Sequence, residues 1–213
     1  MASPNKGHEW GAAKVNKLLG WAREFGVKSI TFYALSLENM RKRPKAELNF
    51  IYRLIENEID NYLKPDSMVF RDKIKVVFFG RLDLVPASLR AKAGEIMEAT
   101  KGHKKGCANF ALAYGGRQEI VNAAKRIADK VQAGLSPSKV TEKLFRQSLQ
   151  TNGTGDPQLI IRTGGEKRIS NFLVFQSAYS EFTFLDKMWP EITKRDFAKA
   201  VKDFAGRERR FGK

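Results

Sequence analysis

Apolar positions recur along the chain in two alternating patterns, one with helical spacing and one of short unbroken runs. Val15, Leu18, Leu19, Ala22 and Phe25 share one helical face, and Gly26 follows as a stop, so the spacing predicts a helix beginning almost at residue 7. Residues 29–33 predict a buried strand running into a polar stretch, 36–43. Leu48, Ile51, Ile55, Ile59 and Tyr62 predict a second helix ended by Pro65, and residues 74–79 a second strand closed by Gly80. Pro86 suits the first turn of a helix reaching about Thr100, residues 107–114 form a third strand, and 117–131 return to helical spacing. Past the turn at 134–138, the pattern predicts a short helix over 141–149, a strand over 159–162, a helical stretch over 171–176 and a strand over 182–184. Phe197, Ala200, Val201 and Phe204 mark a last helix before a basic tail.

Strands alternating with helices predict an α/β fold with a mainly parallel central sheet flanked by helices, in one domain over residues 1–213. Ligands in such sheets gather outside the carboxyl ends of the strands. Two polar clusters, 36–43 and 162–170, follow strands directly and are therefore expected at one crevice.

Charge narrows the partners. Thirty-nine Lys and Arg against 23 Asp and Glu give a net charge of +16, which favours diphosphates, nucleic acid or an acidic membrane surface. The single cysteine, Cys107, excludes an intrachain disulfide framework and points to a reducing, cytoplasmic setting. No run approaches the ~20 apolar residues of a spanning helix, and residues 1–6 lack the apolar core of a signal peptide, so the expectation is a soluble protein, at most peripheral to a membrane. Two histidines and one cysteine exclude an ordinary zinc site, and no Walker A loop, Gly-x-Ser-x-Gly elbow or Rossmann fingerprint occurs.

The cluster at 162–170 combines Arg162, Arg168, Thr163 and Ser170 with the pair Gly164 and Gly165, whose backbone lets N–H groups approach an anion. It reads either as a diphosphate site or as a solvated basic turn; Ser170 before an expected helix start favours the anion. Ser36, Glu38 and Asn39 read either as chemistry or as a helix cap. Glu181 among Tyr179, Phe182 and Phe184 reads as a metal ligand, a paired ion or a strand-edge carboxylate. His8, before the first expected helix, reads as a phosphate contact or a surface residue.

Together the clusters resemble the cis-prenyltransferases of the undecaprenyl diphosphate synthase type over nearly the whole chain. The resemblance rests on Gly7-His8-x-x-Gly11, Tyr33-Ala34-Leu35-Ser36-Leu37-Glu38-Asn39, Tyr114-Gly115-Gly116-Arg117, the run from Ile161 through Arg162-Thr163-Gly164-Gly165-Glu166-x-Arg168-Ile169-Ser170-Asn171-Phe172, Trp189-Pro190, and Arg207-Glu208-Arg209-Arg210-Phe211-Gly212. It implies a Mg²⁺-dependent condensation of isopentenyl diphosphate onto an allylic diphosphate, farnesyl or geranylgeranyl, giving a long-chain polyprenyl diphosphate. By the same resemblance Arg162, Arg168, Ile169 and Ser170 hold isopentenyl diphosphate, and His8 and Arg43 contact diphosphate. Leu37, Glu38 and Met40 fall among substrate-binding positions, Asn39 with Ser36 assists positioning and proton removal, and Glu181 helps bind Mg²⁺. Arg210 and Gly212 match an Arg-x-Gly element that reaches a neighbouring subunit, which implies a homodimer. Ala34 and residues 110–113 are the expected tunnel wall.

The sequence departs from the family at its start. Members open with a strand and an Asp-Gly-Asn loop, whereas residues 1–6 carry no aspartate, so the expectation is an amino-terminally truncated domain without the first strand. The spacing Arg41-Lys42-Arg43 looks archaeal. Two other readings compete: a non-catalytic subunit of a two-component prenyltransferase, and a basic nucleic-acid-binding protein. The intact Arg162 cluster argues against the first, and the carboxylate and aromatic residues beside that cluster argue against the second.

Overall fold

The structure, a computed structural model, describes residues 4–207. Its elements run α1 (Pro4–Glu24), β1 (Ser29–Ser36), α2 (Leu37–Lys42), α3 (Lys45–Leu63), α4 (Met68–Arg71), β2 (Ile74–Gly80), α5 (Ala87–Thr100) and β3 (Gly106–Tyr114). They continue through α6 (Gly116–Gln132), α7 (Glu142–Gln147), β4 (Leu159–Thr163), β5 (Glu181–Leu185) and α8 (Lys194–Ala205). The alternation read from the sequence is present. α1 starts before residue 7 because its first turn is polar and leaves no apolar position for the spacing to register.

All strand pairs are parallel, as expected, but they form two sheets rather than one. β3 lies between β1 and β2, and β4 pairs with β5. β1 and β4 therefore each have an edge without a sheet partner among the described residues. Phe32, Phe110 and Phe78 stand in register across the three-stranded sheet and stack with centroids 5.3 and 5.0 Å apart. Below them α3 and α5 pack on each other and α5 covers β2. Ile59, Val69, Val76, Leu89, Ile96 and Leu112 are sealed from solvent there, each contributing about 1.5–3 kcal/mol by burial.

Gly80, at φ 127°, ends β2 where a Cβ would stand 2.0 Å from the Leu112 carbonyl oxygen, so only glycine fits. At the other crossing, β1 slips register against β3 around Ala34, which lifts that residue out of the ladder. Ala34 is exposed while Leu35 and Ser36 beside it are buried.

One expected element is absent. Residues 171–176 form turns, not a helix, because Ser170, Asn171 and Leu173 adopt φ of 47°, 64° and 46°, which a right-handed helix cannot include. Among the described residues, no helix is long and apolar enough to cross a membrane.

Candidate active site

The carboxyl end of β1 passes directly into α2. Ser36 caps that helix, its Oγ accepting from the Asn39 N–H at 3.0 Å, so the cap reading of this polar run is realised. Helical spacing then divides the run. Leu37 is buried in the core and the half-buried Met40 packs against it, so the side chains of both face inward and neither lines the cavity that the rest of the run borders. Glu38, Asn39 and Arg43 line a cavity of about 1250 Å³. The Asn39 side chain has no hydrogen bond within the described residues and is free to meet a ligand.

The cavity opens between β1 (residues 31–36) and β4 (residues 160–163). Its rim collects His8, Glu38, Asn39, Arg43, Arg162, Arg168, Ile169 and Ser170, and its depth is apolar, with Ile51, Leu54, Ile55, Ile59, Phe78 and Phe110. Of the expected tunnel wall, Ala34 and Phe110 line it, whereas Ala111, Leu112 and Ala113 are sealed in the core. His8 lies inside α1 rather than before it, so no helix terminus assists it. Its Nε2 stands 2.9 Å from Glu47 Oε1, which also faces Arg43 Nη1 at 3.5 Å.

The loop after β4 folds back on a single guanidinium. Arg162 Nη1 donates to the Arg168 carbonyl and, at 2.7 Å, to Ser170 Oγ, while Arg168 pairs with Glu166. Gly164 and Gly165, at φ 86° and 74°, make the bend that brings these groups together. Without a helix behind Ser170, what the loop can offer an anion is side chains and turn amides, not a helix terminus.

Two residues without an assigned role hold this loop in place. Asn171 Nδ2 donates to Glu38 Oε1 at 2.7 Å and to Gln118 Oε1 at 3.1 Å, and its Oδ1 accepts from the Arg117 N–H at 2.8 Å. Burial by itself would raise the Glu38 carboxyl, but the Asn171 amide, the Glu38 backbone N–H, the Ser36 hydroxyl and Arg41 together bring it below its ordinary range. Tyr33 donates to the Tyr114 carbonyl and stacks on Phe172 with centroids 4.6 Å apart; burial, then the Glu38 charge, push its hydroxyl pKa well up.

Glu119 is the second. Only 1% exposed, it accepts from Tyr114 Oη at 2.6 Å, Gln176 Nε2 at 2.9 Å, and both the Thr151 amide and hydroxyl at 2.9 Å. Four donors converge on this carboxylate, three of them from segments 32 and 57 residues away. In the sequence it shows only as an acid in a helix's first turn, and nothing there announces the partners.

Glu181 stands apart. It opens β5, opposite Leu159 at the amino end of β4, and its Oε2 bonds Arg207 Nη1 at 2.7 Å; it does not line the cavity. Among the described residues no three His, Cys, Asp or Glu side chains gather to hold a metal ion. The cavity's carboxylates are engaged: Glu38 by Asn171, Glu58 by Asn16. A magnesium cage made by this chain alone is therefore not present in that part. Arg210 and Gly212 lie outside the described residues.

Comparison with known proteins gives one consistent result. The family model described as "Putative undecaprenyl diphosphate synthase" matches residues 1–212. A tritrans,polycis-undecaprenyl-diphosphate synthase (geranylgeranyl-diphosphate specific) of Methanopyrus kandleri is 44% identical over 99% of this chain and 77% of its own length. The enzyme of the same name from Thermoplasma acidophilum is 42% identical, over 99% and 81%. In structure, lavandulyl diphosphate synthase from Lavandula x intermedia, solved with dimethylallyl diphosphate, matches with a TM-score of 0.90 at 32% identity, covering 98% of this chain and 89% of that one. A probable undecaprenyl diphosphate synthase from Campylobacter jejuni gives 0.82 at 33% identity, over 96% and 92%.

Proposed function

The chain belongs to the undecaprenyl diphosphate synthase family of prenyl-transferring enzymes, and from that premise we propose that it adds isopentenyl diphosphate repeatedly, with cis geometry, to an allylic diphosphate. The observation that carries this reading is the cavity itself: a cationic, hydroxyl-bearing rim over a deep apolar body, between two strand ends. Diphosphate and hydrocarbon are the two halves of each substrate, and the cavity separates them the same way. The archaeal relatives' specificity for geranylgeranyl diphosphate makes that primer the first to try.

In this reading Arg162 and Ser170, held in one bond, and Arg168 receive the diphosphate of isopentenyl diphosphate, with Ile169 against its carbon skeleton. Negative charge collects on the departing pyrophosphate, and Arg43 and His8 across the rim offset it. The free amide of Asn39 orients substrate; being neither acid nor base near pH 7, it positions the proton that leaves rather than removing it. Magnesium, which usually enters such sites on substrate phosphates rather than in a protein cage, would supply charge neutralisation when bound. Glu181, turned to Arg207 at the opposite strand end, acts at the metal only through a rearrangement or a second chain.

A strand seated between the open edges of β1 and β4 would join the two sheets and bring its following loop to the rim, where the family's Asp-Gly-Asn segment belongs. The test is incorporation of labelled isopentenyl diphosphate with farnesyl or geranylgeranyl primer, run on this chain and on a form extended at its amino terminus by such a strand and loop. The extended form is expected to make long-chain product and to lose that activity in EDTA. No product from the extended form with either primer would overturn the proposal; product only after mixing with a second, different chain would favour the subunit reading.

A further inference from the structure

The end of the three-stranded sheet opposite the cavity carries a row of lysines. Lys28 precedes β1, Lys105 precedes β3 and Lys73 precedes β2. Their backbones are adjacent across the sheet: the Lys105 N–H donates to the Lys73 carbonyl at 3.1 Å, and the Cys107 N–H to the Lys28 carbonyl at 2.8 Å. Neighbouring strands lie about 4.8 Å apart, so three like charges stand side by side along one rim. Lys75, Lys104 and Arg71 flank the row. All six are exposed, and none has a carboxylate within ion-pair distance among the described residues. The acids nearby are spent on other cations, Asp72 on Arg23 and Glu98 on Lys101, while Asp66 sits on the loop before α4.

This row is costly to the folded state in two ways. Like charges on adjacent strands repel. Lys73 also holds a φ of 50°, a left-handed turn that glycine or asparagine would enter more cheaply. Among the described residues no carboxylate offsets the row's charge, which leaves it open to an anionic partner.

We propose that this rim docks onto an anionic phospholipid bilayer. Charge complementarity selects an acidic surface, and the rim's lack of exposed rings selects a bilayer over nucleic acid. Single strands are held by stacking on aromatic faces, but the exposed large apolar side chains, Trp10 and Tyr179 among them, belong to other segments. Phe70 and His103, the rim's own rings, pack edge to face on each other at 5.3 Å, and His103 Nδ1 bonds the Ile74 carbonyl. The placement also suits delivery. α3 starts at the cavity's mouth and ends beside α4 at the basic pole, and Ile59 and Tyr62 near its end line the cavity's inner wall. A chain growing inward from the phosphates advances toward the docked membrane. That last step rests on the transferase reading; the docking does not.

The test is flotation of the intact protein with vesicles of phosphatidylcholine alone or with one part in three phosphatidylglycerol. Binding is expected only with the anionic lipid and is expected to weaken with salt. Each rim lysine near the surface is expected to contribute about fivefold, so Lys28→Gln/Lys73→Asn/Lys105→Gln should lose about a hundredfold. Lys73→Asn alone, which suits the left-handed turn, should lose about fivefold and melt no lower than the parent. The matched variant Lys125→Gln/Lys130→Gln/Lys143→Gln should bind within about twofold of the parent. Unchanged binding by the rim variants, an equal loss in the matched variant, equal binding to neutral vesicles, or displacement of vesicles from the rim by a single-stranded oligonucleotide would each overturn the proposal. None of these readings depends on turnover.

Discussion

Asn171 ties its own loop to two helices through one side chain: α2 at Glu38, and α6 at Gln118 and the Arg117 amide. Its left-handed backbone suits asparagine better than most residues, so shape and bonding favour the same residue. Replacing it by aspartate keeps the turn but sets a carboxylate against Glu38. Two carboxylates at hydrogen-bond distance cannot both ionise without penalty, and one pKa rises. Asn171→Asp should therefore be destabilised by about 2 kcal/mol at pH 8 and recover toward pH 5, where one proton is shared. The parent runs the other way. Its Glu38 carboxyl lies below the ordinary 4.5, so the contact is complete above that value and is lost as pH falls through the lowered one. Melting temperature against pH for both proteins checks the sign; parallel curves would contradict this account. Asn171 was visible in the sequence only as part of a motif, because its partners lie 53 and 133 residues away.

At the scale of elements, Glu119 carries the joint between the sheet, α6 and the loop that bears Arg168 and Ser170. Glu119→Ala leaves the Tyr114 hydroxyl and the Thr151 amide and hydroxyl without their acceptor in a sealed site, with Gln176 keeping only its bond to Thr151 Oγ1, and about 3 kcal/mol of stability should go with it. Denaturant titration measures this, and a loss below about 1 kcal/mol would refute the role. Gly116 belongs to the same joint, since a Cβ there would lie 2.9 Å from the Val174 amide nitrogen. The sequence showed the strands and long helices well, because Ile51, Ile55 and Ile59 or the run through Phe78 and Phe79 repeat at fixed periods. It failed at residues 171–176, where apolar spacing mimics a helix and positive φ at Asn171 and Leu173 forbids one. It also could not divide one parallel sheet into two, since the pairing of β1, β3 and β4 is set by distant contacts that no local period records. In α2 the periodicity is legible too: Leu37 and Met40, three residues apart, share the face that packs on the core.

At the scale of the whole molecule, two basic regions lie at opposite ends of the strands, the cavity rim proposed to bind diphosphate at one and the lysine row at the other. The expected homodimer belongs to this scale too. Its proposed link, the tail with Arg210 and Gly212, lies outside the described residues, so the assembly is a matter for solution measurement. Sedimentation equilibrium at micromolar concentration is expected to give twice the chain mass, and a single-chain mass would count against the tail's proposed reach. The central claim, that the cavity rim is a diphosphate site, is tested most directly by calorimetric titration of isopentenyl diphosphate into this chain and into Arg162→Ala. One saturable site is predicted, weakened about 10- to 100-fold by the substitution, as expected for loss of a charge-assisted hydrogen bond. Absence of saturable binding, or equal affinity in the two proteins, would contradict it.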